Sequence, residues 1–255
     1  MGAPTPSGSV AAVKPFLLLQ IRPEDEAAAD EAQAFRRFGG LADDELVAVR
    51  IESDGVPEVD LDDWSGLVVG GGPSNVSDDP ADKPASQRRF EEQLSELLGR
   101  VVARDFPFLG SCYGVGILAV QQGGVVSRRH PEPVGTTTVT LTEAGCADPL
   151  TTGLPVTFDA FTGHKESCEE LPAGAVLLAT SAACPVQMLR IGANVYATQF
   201  HAELDVEGLA TRIRVYRDAG YFPPGDADAL IAAARNSHVV EPVKIWRRFV
   251  QRYAG

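Results

Sequence analysis

In "FLGSCYGVG" (residues 108–116) one cysteine stands between glycines directly after an apolar run. The order strand (106–110), Ser-Cys-Tyr-Gly, then the helix-compatible "VGILAVQQ" describes a strand–turn–helix unit. G-x-C-x-G is the thiol counterpart of the G-x-S-x-G nucleophile elbow. Glycines at 110 and 114 permit a sharp turn that pushes the Cys112 side chain out above the carboxyl end of a strand, where open α/β sheets place their ligands. A helix N-terminus behind the sulfur favours thiolate, the nucleophilic form. The backbone N–H of Tyr113 would then face the oxygen of a bound carbonyl.

A thiol nucleophile needs a base, and the chain has four histidines. His201 ends the strand-like "NVYATQFH" and is followed by Ala202 and Glu203. Residues two apart in extended chain project to the same side, so Glu203 can orient the imidazole and support its protonated form. The result is a nucleophile, base and orienter: Cys112, His201, Glu203. His164, in "FTGHKE", lies between Thr162-Gly163 and Lys165-Glu166 and is expected at a rim. A third segment, "VVGGGPSNVSD" (68–78), runs from a strand into Gly70-Gly71-Gly72-Pro73, whose exposed backbone N–H groups suit the second half of an oxyanion hole. It matches neither a dinucleotide fingerprint nor a phosphate-binding P-loop. Taken singly, each segment also fits an inert buried thiol, a satisfied strand-end histidine or a plain glycine turn.

These residues must be held by a scaffold. Apolar strands are predicted at 16–21, 45–51, 66–71 and 106–110, with amphipathic helices at 22–39 and 85–105 between them. That alternation points to an open, mostly parallel sheet flanked by helices. Beyond residue 135, β-prone runs at 135–142, 176–181, 184–191 and 194–201 predict an additional antiparallel hairpin region, with "IGAN" (191–194) as a tight turn. Helices are predicted around 205–219 and 226–252. The reading is one domain over 15–255, with a helical extension at its C-terminal end, after a flexible leader over 1–14 rich in Pro, Gly, Ser and Ala.

Composition narrows the function classes. The chain has 255 residues, 44% of them hydrophobic, and a formal net charge of −13. That charge speaks against nucleic-acid binding, which needs Lys and Arg to displace counterions; the basic spots 127–130 and 244–249 read as solvated faces. No apolar run approaches the ~20 residues of a membrane span, no secretory signal is evident, and a cytoplasmic setting is expected. Four cysteines (112, 146, 168, 184) are irregularly spaced, so neither a disulfide framework nor a metal cluster is expected.

Strand-"GGP", "GSCYG" and "QFHAE", in that order, resemble the motifs of a class I glutamine amidotransferase domain. The resemblance spans about residues 16–220 and is nearest to the amidotransferase part of GMP synthetase, standing alone. It implies the flavodoxin-like amidotransferase fold and hydrolysis of the glutamine side-chain amide through a γ-glutamyl thioester, without metal or organic cofactor. Cys112 would attack, His201 would protonate the departing ammonia, Glu203 would orient His201, and the N–H groups of Gly72 and Tyr113 would hold the oxyanion. Gly71, Pro73, Gly116 and Gln199 would line the substrate site. The family normally carries Gln where this chain has Gly116, His or Met at Val115, and Pro at Ala202. The change at 116 opens the pocket to γ-glutamyl compounds other than free glutamine. The ammonia would pass to a separate synthetase partner or simply be released. A regulatory module on the same fold, without catalysis, is the remaining alternative.

Overall fold

The computed structural model describes residues 13–255; the expected leader falls, as far as residue 12, outside the described residues. Five strands form a parallel half-sheet: β1 (Phe16–Gln20), β2 (Leu46–Arg50), β3 (Gly66–Val69), β4 (Phe108–Ser111) and, from late in the chain, β11 (Val195–Thr198). The strands between these last two are β5 (Val125–Ser127), β6 (Glu132–Leu141), β7 (Thr157–His164), β8 (Ser167–Glu170), β9 (Val176–Ser181) and β10 (Met188–Ile191). The main sheet has nine strands in the order β2-β1-β3-β4-β11-β10-β9-β6-β7, and its last four run antiparallel to their neighbours. β5 and β8 pair separately as a two-stranded antiparallel sheet.

The helices are α1 (Asp25–Gly39), α2 (Ile51–Asp54), α3 (Ala85–Ala103), α4 (Tyr113–Gln121), α5 (Glu143–Ala147), α6 (Val206–Val215), α7 (Ala227–Arg235) and α8 (Pro242–Tyr253). Parallel strands read as continuous apolar runs because both faces are covered. Along β1, Leu17 and Leu19 enter one core while Phe16 and Leu18 enter the other. Among the described residues no helix is long and apolar enough to cross a membrane.

Two expectations are corrected. The helix predicted over 22–39 begins at Asp25, which frees Arg22 to turn inward, where it is buried. The single helix predicted over 226–252 is two, because Pro242 has no N–H to continue a helix but is well suited to begin one. The hairpin at Gly192 is present, with that glycine at φ 58°. It belongs to a larger antiparallel array through β7, whose strand "TFDAFTGH" carried no clear alternation of polar and apolar residues.

The C-terminal extension is part of the core. α8 buries Ile245, Trp246 and Phe249 against α1 and β1. Trp246 is fully enclosed, lies edge-on to Phe35 and Phe16, and donates its indole N–H to the Phe35 carbonyl at 2.7 Å. Trp246→Ala is expected to destabilise the fold by about 3–5 kcal/mol, read as the shift of the urea unfolding midpoint. A change below about 1 kcal/mol would show that α8 is dispensable to the core.

Candidate active site

The site is assembled at the carboxyl ends of the parallel strands, and its centre is Cys112. This residue follows β4 and caps α4 with φ 53° and ψ −95°, a backbone conformation rare for a residue with a side chain. The two elbow glycines are sterically required. A Cβ on Gly110 would come within 2.8 Å of the Gly114 backbone, and one on Gly114 within 3.1 Å of the Val69 carbonyl oxygen. The Cys112 N–H donates to the Thr198 carbonyl at 2.8 Å, which ties the elbow to β11. Tyr113 is the first residue of α4, so its N–H has no partner within the helix; its hydroxyl donates to Glu91 at 2.9 Å.

His201 follows β11. Its Nδ1 lies 2.7 Å from Glu203 Oε1, as the spacing in the sequence predicts. His201 and Cys112 converge on one backbone point. A Cβ on Gly71 would lie 2.8 Å from His201 Cε1 and 3.3 Å from Cys112 Cβ, with Arg22 Nη2 at 3.0 Å. Gly71 thus sits against the imidazole, Gly72 borders both pockets that open on Cys112, and Pro73 lines neither of them. Gln199 and Gly116 line one pocket, with the Gln199 amide 4.0 Å from the sulfur.

The structure adds residues that the motifs left unseen. Glu203 is fully buried; its second oxygen accepts from Ser111 Oγ at 3.0 Å, and its first from Arg212 Nη2 at 3.0 Å. Arg212 Nη1 also lies 2.9 Å from His201 Nδ1. Arg212 extends to Glu31, 3.7 Å away, and Glu31 in turn pairs with buried Arg22 at 2.8 Å. Tyr221 reaches over the site, donating to the Gly72 carbonyl at 3.3 Å, and borders both pockets. No local pattern flags these residues; only the three-dimensional fold brings them together.

Glu166 and Val76 lie beside the space that a side chain at Gly116 would enter. The Glu166 carboxylate accepts from the Val76 and Ser77 N–H groups at 2.6 and 2.8 Å, and it lies 3.4 Å from where a Cβ on residue 116 would stand. Behind it, His164 is buried rather than on the rim. One ring nitrogen lies 2.9 Å from the Glu166 carbonyl and the other 2.9 Å from Glu132. Glu132, His164 and Cys184 bring possible metal-ligating atoms within 4.8 Å of one another. Those atoms are already engaged: both ring nitrogens as above, the Cys184 thiol with the Val186 carbonyl, and Glu132 with Thr137, Ser181 and Gln187. The cluster therefore serves as a hydrogen-bonded post for Glu166.

Charge burial sets the protonation states. Enclosure disfavours the charged imidazolium and lowers the His201 pKa; Glu203 opposes this, and Arg212 and Arg22 add to it. Glu203 resists desolvation because His201 and Arg212 stand beside it, and its carboxyl is held well below the usual range. Burial pushes the Cys112 thiol up to about 12, against the pull of Arg22. Burial therefore works against the thiolate that the helix N-terminus favours. The resulting prediction is that alkylation of Cys112 by iodoacetamide in the free protein keeps rising from pH 7 through pH 11. A plateau already reached at pH 7, read by peptide mapping, would indicate a preformed thiolate–imidazolium pair instead.

Comparison with known proteins places this chain among relatives. A family model described as glutamine amidotransferase class-I matches residues 34–212. One subunit of the glutamine-hydrolyzing GMP synthase of Thermoplasma acidophilum is 30% identical over 161 residues, covering 62% of this chain and 73% of that protein. The GMP synthase of Thermosipho africanus is 27% identical over 139 residues, a match to 54% of this chain but 24% of that longer protein. A glutamine amidotransferase structure from Thermotoga maritima superposes with a TM-score of 0.73 at 20% identity, covering 93% of this chain and 97% of the other. One from Methylobacillus flagellatus gives 0.71 at 19%, covering 94% and 95%. The two structures share the fold.

Proposed function

Because the chain belongs to the class I glutamine amidotransferases, we propose that it hydrolyses the side-chain amide of glutamine, with Cys112 as nucleophile, His201 as acid and base, and Glu203 as orienter. The observation that carries the reading is the convergence on Gly71 of Cys112, held in its strained elbow, and the Glu203-bound imidazole of His201.

The proton logic follows from the site. Burial disfavours the charged form of both partners, so the thiol gives its proton to His201 as Sγ attacks the amide carbon. The imidazolium formed is supported by Glu203. The tetrahedral oxyanion would be received by the N–H groups of Gly72 and Tyr113. Collapse breaks the C–N bond while His201 returns its proton to the departing ammonia. His201 then activates water against the γ-glutamyl thioester, which releases glutamate and restores the thiol. The glutamyl end of the substrate would occupy the pocket bordered by Gly116, Gln199 and Glu166, whose carboxylate suits an α-ammonium group. Relatives that are single subunits of a GMP synthase support a separate synthetase as recipient of the ammonia. The matched segment spans 24% of the longer GMP synthases, so nothing of the synthetase chemistry is assigned to this chain.

Ammonia and glutamate release from glutamine, assayed with and without a candidate synthetase, tests the reading. Cys112→Ala is expected to lower the rate by roughly 10⁴-fold or more; full activity in that variant would remove Cys112 from the chemistry.

Arg212 supplies a second check. Its charge disfavours the imidazolium, so removing it raises the His201 pKa. His201 must be neutral to accept the thiol proton, so the acidic limb of kcat/KM should move to higher pH in Arg212→Met and stay near the wild-type position in Arg212→Lys. Movement to lower pH in Arg212→Met would contradict this electrostatic role.

A further inference from the structure

The oxyanion hole proposed above takes its two donors from segments far apart in the chain. Gly72 belongs to the loop between β3 and α3, and Tyr113 opens α4. Such donors act only when aimed at the developing charge from about 2.7–3.1 Å, so the two segments must be fixed against each other.

A carboxylate on α3 joins them. Partly buried Glu91 accepts from Lys83 Nζ at 2.7 Å, from Gln87 Nε2 at 2.9 Å and from the Tyr113 hydroxyl at 2.9 Å. The first two donors also reach the loop: Lys83 Nζ donates to the Val76 carbonyl at 2.8 Å, and Gln87 Nε2 to the Asn75 carbonyl at 3.0 Å. One carboxylate thus ties the residue after Cys112 to the stretch just beyond Gly72-Pro73. Gln87 and Glu91 are one helical turn apart, which puts them on the same face of α3. Lys83, Gln87 and Tyr113 are all more than nine-tenths buried. The helix itself does not need this network, because Phe90, Leu94, Leu97, Leu98 and Val101 already bury its apolar face. Taking a lysine and a glutamate out of water is unfavourable unless their hydrogen bonds are met, and a buried network that meets them rigidifies the elements it joins.

We propose that Glu91, with Lys83 and Gln87, is a set of positioning residues that holds the β3–α3 loop against Tyr113 and keeps the two halves of the oxyanion hole in register. The proposal rests on the Cys112 chemistry given above. None of the three lines either pocket at Cys112. They act through the two N–H donors, when the oxyanion forms rather than when glutamine binds.

The test is a kinetic cycle on Lys83→Met and Tyr113→Phe, which keep the apolar bulk of each side chain and cut one link on either side of Glu91. Each is expected to lower kcat for glutamine about tenfold with KM within about twofold of wild type, a smaller loss than deleting an oxyanion donor outright. The double variant should lose no more than about the larger single loss, because both changes break one connection. Alkylation of Cys112 by iodoacetamide forms no oxyanion, so its rate at a fixed pH should be the same in the variants as in the wild type. A distorted elbow would move both rates together. Glu91→Gln, which keeps the side-chain shape, should show the same split and serves if either of the other variants fails to fold. Unchanged kcat in the single variants, losses that multiply in the double, or an equal fall in alkylation would overturn the positioning role and leave the glutaminase reading standing. Wild-type protein that releases no ammonia from glutamine would overturn both.

Discussion

Glu203 is a carboxylate enclosed where water does not reach, and the rest of the site is arranged so that it stays ionised. His201, Arg212 and Ser111 contact it directly, Arg212 reaches on to Glu31, and Glu31 holds Arg22. Two arginines and two glutamates thus share one buried array with the imidazole. Removing one member of such an array leaves an uncompensated charge, at a penalty of about 3–5 kcal/mol. The array also fixes topology. Its members come from the chain just after β1, from α1, from the segment after β11 and from α6, so these elements must meet at one end of the sheet for the charges to balance.

The proposed nucleophile, Cys112, is placed by a different constraint. Cys112 occupies a left-handed backbone conformation at the junction of β4 and α4, and the turn closes only because residues 110 and 114 lack side chains. The Cys112 N–H is bound by the Thr198 carbonyl, and the chain leaving β11 delivers His201 three residues later. β4 and β11 are neighbours in the sheet, so one pairing positions both thiol and base. Burial disfavours the charged form of each, the thiolate and the imidazolium.

What was legible in the sequence was local. The elbow is written in consecutive residues, the His201–Glu203 pair in a two-residue spacing, and the parallel half-sheet in apolar runs between amphipathic helices. Arg22 and Arg212 were not legible because their partners are distant in sequence and a single arginine carries no pattern. Ser111 was hidden in plain view: it adjoins Cys112, but its role depends on a carboxylate 92 residues away. Gly116 was legible only as a departure. Its meaning required Glu166, on the turn between β7 and β8, to be seen filling the space beside it. His164 was misplaced for the same reason, since its buried partner Glu132 lies across a strand pairing that sequence alternation did not announce.

The central claim is that one thiol of four is presented for attack on a carboxamide by its elbow and its imidazole. It is tested most directly by exposing the folded protein to a diazo-ketone analogue of glutamine and mapping the adduct by mass spectrometry. The account predicts one covalent adduct per chain, on Cys112, lost on denaturation before treatment and suppressed by excess glutamine. No adduct, or equal labelling of Cys112 and the exposed Cys146, would contradict it.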